Sequence, residues 1–481
     1  MKLDEDRDRV LNSADQGTAD QYQRFLCNKG GCFLTQGIPR AINVTLLPTP
    51  VSESAYNHLV NAQEPLNKLI ELSSRDVAFV TRTIEPCTKV DYLAKRLLDI
   101  YKLCVLDENQ ITLGMYRHDY MFHSPNPTGD DALHNGAFKM VEANLMSAAL
   151  LGTGTHVMEL HNQVLARELP ERKQPYKKTL VPMVRGIASA WGLYDRPGSI
   201  FLFLVAPDDF NWFDQQKMID TMWDDYGIIS MKMTYEEFIE EGELSSDNRY
   251  YVRGKEIAIF YFRSMWNEDH YKTEKHWETR LKIERSKAVK VPNIRHQCIN
   301  LKYFQQAFLN KGVMEKYLTE GESKLVKSVF AELYQLAPGA EGDKAAQLGD
   351  YTGTFDDPRG WVLKPSREGG GNNIWEEEML EKLTQLHDSD EREAFVLMQR
   401  LNAPHVPNRV VRSGPNERAK LSETFDTTAE LGLFCVYVAD SQEKVLVNEV
   451  AGPLIRTKPA ANNEGGIAIG IGVMDSVVFA D

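Results

Sequence analysis

The residues 361–373, WVLKPSREGGGNN, set the cations Lys364 and Arg367 and the carboxylate of Glu368 directly before Gly369, Gly370 and Gly371, with Asn372 and Asn373 following. Glycine costs backbone entropy on folding, and its usual justifications are φ > 0 or a partner that must lie close to the backbone. A Gly-rich loop between a strand and a helix start cradles an anion with backbone N–H groups. Two cations and a carboxylate beside that loop point to a phosphate carrying a metal ion. A second set lies upstream, where Glu142 and Asn144 in MVEANLMS stand two apart and share one face of a strand. Mg2+ prefers hard oxygen ligands and commonly bridges one or two carboxylates to substrate phosphates. Read alone, Glu-x-Asn also fits an exposed strand edge.

The elements that must position these groups are partly legible. Trp361, Val362 and Leu363 form a short buried strand, and residues 374–386 are expected to be a helix. Residues 198–207, GSIFLFLVAP, and 256–263, EIAIFYFR, are apolar runs of strand length. Such strands separated by helical stretches favour a sheet covered on both faces. Residues 55 to about 113 have a mostly helical pattern, and 325–336 carry apolar residues at helical spacing. The stretch 337–360, rich in Gly, Ala and Asp, suits an exposed, mobile connection. Residues 431–450 read as a hairpin around a polar turn. No internal repeat or low-complexity segment occurs, and the class is α/β or α+β with more than one lobe.

At 481 residues the chain implies two or more domains or one elaborated α/β body. Its 42% hydrophobic and 26% charged content is ordinary for a globular protein, and a net charge of −14 argues against nucleic acid as a partner. Six cysteines are too few for a disulfide scaffold. Cys27 and Cys32 could pair across CNKGGC, although two free thiols are the leading reading. No apolar run reaches the ~18 residues of a membrane span, and the charged N-terminus lacks a hydrophobic signal core. The expectation is a cytoplasmic protein without a membrane partner; a secreted chain stripped of its signal peptide would read the same. G-x-x-x-x-G-K-[ST], H-E-x-x-H, paired C-x-x-C and G-x-S-x-G are all missing. GGIAIGIG lies too near the chain end for a dinucleotide fingerprint. His156 and His161 are five apart, wrong for one helical face, and are expected to be core or surface histidines.

KPSREGGGNNIWEEEM, LIRTKPAANNEGGIAIG, YRHDYMF, FDQQ, YFR and ELGLFCVY together resemble the eukaryotic-type glutathione synthetases, a family of ATP-grasp ligases, with the motifs in that family's order from about residue 50 onward. The resemblance implies an α/β fold: an ATP-grasp main body with a mobile lid and an inserted parallel-sheet substrate-binding domain. Residues 1–198 would be the N-terminal part of the body, 199–301 the substrate-binding domain, and 302–481 the C-terminal part, with the lid at about 338–425. It further implies a homodimer that joins γ-glutamylcysteine to glycine, converting ATP to ADP and phosphate.

By matching motif, Glu142, Asn144 and Glu368 would hold two Mg2+ ions. Lys302, Lys364 and Lys458 would neutralise the phosphates of ATP, and the amides of Gly369, Gly370 and Gly371 would cover them beside Arg367, Asn372 and Asn373. Trp375, Met398, Gln399, Arg400, Leu401, Glu430 and Glu464 would line the nucleotide site. Arg117, Ser147, Asn211, Gln215, Arg263 and Arg456 would hold the dipeptide and the incoming amino acid, with Ala149, Asp209, Ile467 and Ala468 at neighbouring substrate positions. Arg117, Lys302, Lys364 and Arg456 are the catalytic candidates. The segments 263–272 and 459–471 would close on substrate.

That chemistry suits the set. A carboxylate is a poor electrophile, so the ligase first phosphorylates it; the amine of glycine then attacks the acylphosphate and phosphate leaves. Positioning and cationic stabilisation do most of this work. Water hydrolyses the intermediate, which gives closing loops a purpose.

Several positions depart from the family pattern. The metal motif there continues Asn-Thr-x-Ser-x-Ser, whereas NLMSAA puts Ala149 at the last serine. Asp209 replaces a glutamate, Met265 and Trp266 replace Gly-Tyr, and Ile467 and Ile469 replace smaller residues. The ATP and metal set is complete, while the dipeptide and acceptor set is altered. A lost hydroxyl or shortened carboxylate costs roughly 0.5–3 kcal/mol of binding where its partner is left unpaired. Two further readings follow: a diverged ligase with another carboxylate or amine, and a binding protein without turnover. The intact Glu142, Asn144, Glu368, Lys302 and Lys364 argue against the latter.

Overall fold

The structure, a computed structural model, describes residues 2–104, 110–175, 178–336, 358–366, 372–387, 389–467 and 470–480, without the side chains of residues 2–4 and 358. Its largest sheet is built around the expected hairpin. Phe425–Ala439 and Val445–Pro459 pair antiparallel along most of their length. Their polar turn is held by the Asp440 carboxylate, which accepts from the backbone N–H of Gln442 and Lys444 at 2.9 and 3.0 Å. Thr112–His123 adds to the free edge of Phe425–Ala439, and Ala137–Asn144 adds outside it, both antiparallel. On the other side come Val473–Asp475, Val44–Thr45 and the short strands near residues 410 and 420.

Ile200–Val205 lies between Ile229–Thr234 and Lys255–Phe262, and Val289–Val291 continues beyond, all parallel. Every residue from Ile200 to Leu204 and from Ile257 to Phe262 is buried, so this sheet is covered on both faces, as its unbroken apolar runs predict. A third, antiparallel sheet orders Leu333–Gln335, Phe395–Gln399, Trp361–Pro365 and Ile374–Trp375. Helix Glu376–Leu386 packs on it around its own small core of Leu363, Met379, Leu383 and Leu397. The fold is thus mixed α/β with several sheets.

Three sequence expectations need correction. The helix expected over 374–386 starts at Glu376, because Ile374 and Trp375 pair with Leu363 and Val362 as a strand. The helix expected over 325–336 is Glu320–Ser328, and Leu333–Gln335 joins the third sheet instead, pairing with Val396 to Met398. The long helical stretch is several helices from Glu53 to Cys104, interrupted at Glu85–Lys89, and the strand begins at Thr112. The connection expected over 337–360 lies outside the described residues as far as 357. All six cysteines are free.

Candidate active site

Strand periodicity assembles the polar centre. In the pairing of Thr112–His123 with Ala137–Asn144, Arg117 stands opposite Asn144 and Asp119 opposite Glu142. Across the hairpin Glu430 stands opposite Arg456, and Thr428 opposite Lys458. Residues two apart share a face, so one surface of the main sheet carries an alternating set of charges.

Asp119 organises them. It is fully buried and accepts from Arg117 Nε and Nη2, from Asn144 Nδ2 and from Arg456 Nη2, each at 2.8 Å. Burial pushes its carboxyl up, but the charges of Arg117 and Arg456 outweigh that and hold it below its ordinary range. The neighbouring strand makes room with Gly432: a Cβ there would sit 2.7 Å from Asp119 Oδ1 and 3.0 Å from Arg117 Cδ. Sequence reasoning missed Asp119, although its i+2 spacing from Arg117 in YRHDYMF was the available signal.

Glu142 is half-buried beside Asp119. Burial alone would raise its carboxyl; the charges of Lys302 and Lys364 pull it below the usual value. Lys364 is buried, with Nζ 3.3 Å from the Val141 carbonyl and 3.6 Å from Met398 Sδ, and burial holds its ammonium below the ordinary value despite Glu142. Arg456 Nη2 also donates to Glu430. Desolvation raises the Glu430 carboxyl against the pull of Arg456.

A cavity of about 210 Å³ opens between this surface and the third sheet. Lys364, Asn373, Trp375, Met398, Gln399, Arg400, Leu401, Glu430, Arg456, Lys458 and Glu464 line it. Two contacts span it: Asn373 Nδ2 donates to Glu464 at 2.7 Å, and Arg400 Nη2 to Asn463 Oδ1 at 2.9 Å. The Arg400 guanidinium also lies 5.4 Å from the Trp375 ring centroid. Lys458 donates to the Asn463 carbonyl. Asn372 borders a separate, wider cavity with Lys89, Asn267 and Ser366.

The remaining candidates gather near the parallel sheet. Ser147, in left-handed backbone at φ +54°, donates its hydroxyl to the Phe262 carbonyl at 2.9 Å. Ala149 contributes its carbonyl, which accepts from Arg117 Nη1 at 3.0 Å. Asp214, another residue the sequence reading missed, accepts from the N–H groups of Leu150, Gly152 and Thr153 and so fixes this turn to helix Trp212–Tyr226. Asp209 accepts from the Asn211 N–H at 2.9 Å and from the Gln215 amide. Asn211 Oδ1, Gln215 Oε1 and Arg263 Nε are buried without partners. Unpartnered buried polar atoms are costly, and these three are available to a polar ligand. Met265 has φ +68°, and its carbonyl accepts from Gln297 Nε2 at 3.1 Å. Trp266 meets the His270 ring edge-on at 4.8 Å. Ile467 packs against the core. Arg367, Glu368, Gly369, Gly370, Gly371, Ala468 and Ile469 lie outside the described residues.

Among the described residues no group of three or more His, Cys, Asp or Glu side chains is placed to hold a metal. The expected set differs in kind, since it includes an asparagine and Glu368. Asn144 turns its amide nitrogen to Asp119, which leaves its carbonyl oxygen available as a ligand on the strand that also carries Glu142. An oxygen-only pair with an ionised carboxylate fits Mg2+.

The profile of the family described as eukaryotic glutathione synthase, ATP binding domain, matches residues 33–479. The chain is 35% identical to the glutathione synthetase of Bos taurus over 442 residues, which cover 90% of this chain and 89% of that protein. It is 35% identical to that of Homo sapiens over 449 residues (91% and 89%), and 31% identical to the chloroplastic glutathione synthetase of Arabidopsis thaliana over 446 (90% and 78%). A solved structure of a glutathione synthetase-like effector from Globodera pallida, in its apo form, superposes with a TM-score of 0.75 over 96% of both chains. At 18% identity that likeness concerns the fold alone.

Proposed function

The chain belongs to the eukaryotic glutathione synthase family, and from that premise we propose how this cleft performs the ligation. The protein is a glutathione synthetase, a ligase that uses ATP. In the proposed arrangement ATP occupies the cavity lined by Trp375, Met398 and Leu401, with its phosphates toward Lys364 and Lys458. Glu142 and Asn144, with Glu368, would hold Mg2+, which when bound neutralises phosphate charge. Arg117 and Arg456, oriented by Asp119, hold the carboxylate that is to be activated. Asn211, Gln215 and Arg263 bind the γ-glutamyl end of the dipeptide through their unpartnered polar atoms. The contacts Asn373–Glu464 and Arg400–Asn463 shield the acylphosphate from water until the amine of glycine attacks. No nucleophilic side chain is required. The ATP-grasp body, the lid at about 338–425, homodimer formation and a cytoplasmic location belong to the same proposal on the family resemblance. Among the described residues no helix is long and apolar enough to cross a membrane.

One observation carries this reading. Lys364 from the third sheet and Lys458, Arg456 and Glu430 from the main sheet converge on one cavity. The test is phosphate release from ATP and Mg2+ with γ-glutamylcysteine plus glycine, against a panel of other acids and amines. Release that requires both γ-glutamylcysteine and glycine is expected. Release with a different acid or amine, and none with this pair, would favour a diverged ligase. The observation behind that second reading is Ala149, which offers this centre only a backbone carbonyl.

A further inference from the structure

The CNKGGC segment takes no part in the ligation described above. Helix Gln16–Lys29 ends in a left-handed Gly30 (φ +80°), whose N–H faces the carbonyls of Cys27 and Leu26. The Gly31 N–H then donates to the Leu26 carbonyl at 2.7 Å, and a Cβ at Gly31 would sit 2.9 Å from Leu26 Cδ2. The chain therefore folds back tightly over its own last helical turn. This reversal carries the buried Cys32 back beside the last helical turn, where the exposed Cys27 thiol is near enough to act on it. The other four cysteines are all buried.

The same turn underlies the substrate segment. The Phe33 ring meets Phe210 edge-on at 5.4 Å, and the Leu34 N–H donates to the Phe210 carbonyl at 3.0 Å. Phe210 lies between Asp209 and Asn211. Gly30 in turn faces Phe213.

We propose that Cys27 and Cys32 form a dithiol–disulfide site oxidised by low-molecular-weight disulfides, whose state is transmitted through Phe33 and Leu34 to the 209–215 segment. Exposure makes Cys27 the attacking group. Burial pushes the Cys32 thiol up to about 12, which suits a resolving thiol that reacts only once its partner is modified. The Cys27 thiolate attacks one sulfur of RSSR, that S–S bond breaks, and RS⁻ leaves and is protonated. Cys32 then loses its proton and attacks the Cys27 sulfur, expelling a second RSH. In total two protein thiols and RSSR give one protein disulfide and two RSH. So short a loop gains little from chain entropy, so the bond acts by local geometry rather than as a staple. The oxidised form of the protein's own product is a disulfide of the required class.

Transmission to substrate rests on the reading of Asp209, Asn211 and Gln215 as dipeptide contacts; the thiol chemistry does not. The full-length protein is equilibrated with bis(2-hydroxyethyl) disulfide, quenched with iodoacetamide and digested with trypsin, which cuts between the cysteines at Lys29. A disulfide-linked peptide pair is expected in wild type and none in Cys27→Ser, while Cys32→Ser retains a mixed disulfide on Cys27. Mixed disulfide without the link in wild type overturns the site. In the second arm KM is measured with γ-glutamyl-α-aminobutyrate, a thiol-free analogue that cannot reduce the protein. Oxidation should change that KM at least threefold and leave KM for ATP fixed, with Cys27→Ser unaffected. A linked but kinetically unchanged protein overturns the transmission. A protein with no ligase activity at all would sink the functional reading, while the peptide arm still decides the site.

Discussion

Arg117 and Asp119 form a two-point ion pair along one strand, Nε to Oδ1 and Nη2 to Oδ2, both at 2.8 Å and both buried. The fork of an arginine needs a carboxylate to be held so squarely, and the same carboxylate also carries Asn144 and Arg456. Asp119→Asn keeps the shape and removes the charge, taking from Arg117 its carboxylate partner and leaving Arg456 with Glu430 alone. Breaking a buried pair from one side costs about 3–5 kcal/mol. We expect a loss of that order in denaturant unfolding, together with a raised KM for γ-glutamylcysteine. An Asp119→Asn protein of wild-type stability and kinetics would show that the pair organises nothing.

Glu142 is the carboxylate whose pKa the charges of Lys302 and Lys364 both pull down. Glu142→Gln should lower turnover by at least two orders of magnitude and raise the Mg2+ concentration at half-maximal rate, while the protein still unfolds cooperatively. Near-normal turnover at limiting Mg2+ would remove Glu142 from the metal set.

Arg400 joins the third sheet to the 459–465 segment through Asn463 and lies over Trp375. Arg400→Ala should weaken ATP binding by about tenfold in calorimetry, equivalent to roughly 1.4 kcal/mol. KM for γ-glutamylcysteine should hardly move. Equal losses for both substrates would mean that the residue supports the fold rather than the nucleotide site.

Asp209 draws the Gln215 amide and the Asn211 N–H to one carboxylate. Ala149 lacks the hydroxyl that the family pattern has at that position. The double change Ala149→Ser with Asp209→Glu should lower KM for γ-glutamylcysteine and leave KM for ATP unchanged, the signature of restored uniform binding. A wild-type KM already low, and insensitive to the double change, would make both departures neutral drift.

His118 is fully buried and bonds through Nε2 to Asn67 Oδ1 at 3.2 Å. Burial pushes its ring from 6.5 down to about 4. Between those values the unfolded chain binds a proton that the folded chain refuses. Stability is therefore complete above about pH 6.5 and declines as pH falls toward 4. At about 1.4 kcal/mol per pH unit the loss is roughly 3 kcal/mol. His118→Gln should flatten this limb of the stability profile; an unchanged acid limb would assign it to other groups.

The amino-acid sequence alone determined what local pattern and short motifs can carry. Buried strands such as Ile200–Val205, the long hairpin and the charge types needed for phosphate and carboxylate chemistry were legible, because unbroken apolar runs and turn residues act over a few positions. The local sequence marked Lys364 and Glu142 as phosphate and metal candidates, while Arg456 came only from the resemblance of its motif to the family's. The tertiary structure alone decided which strand meets which. Asp119 gains its importance from Arg456, 337 residues away, and from the space left by Gly432 on the neighbouring strand. Asp214 holds the turn before helix Leu151–Glu168 from a different helix. Leu333–Gln335 leaves its helical spacing for the ladder offered by Phe395–Gln399. The pairing of one strand with another and the contact of Asp119 with Arg456 are made between distant segments, so spacing along the chain holds no record of them.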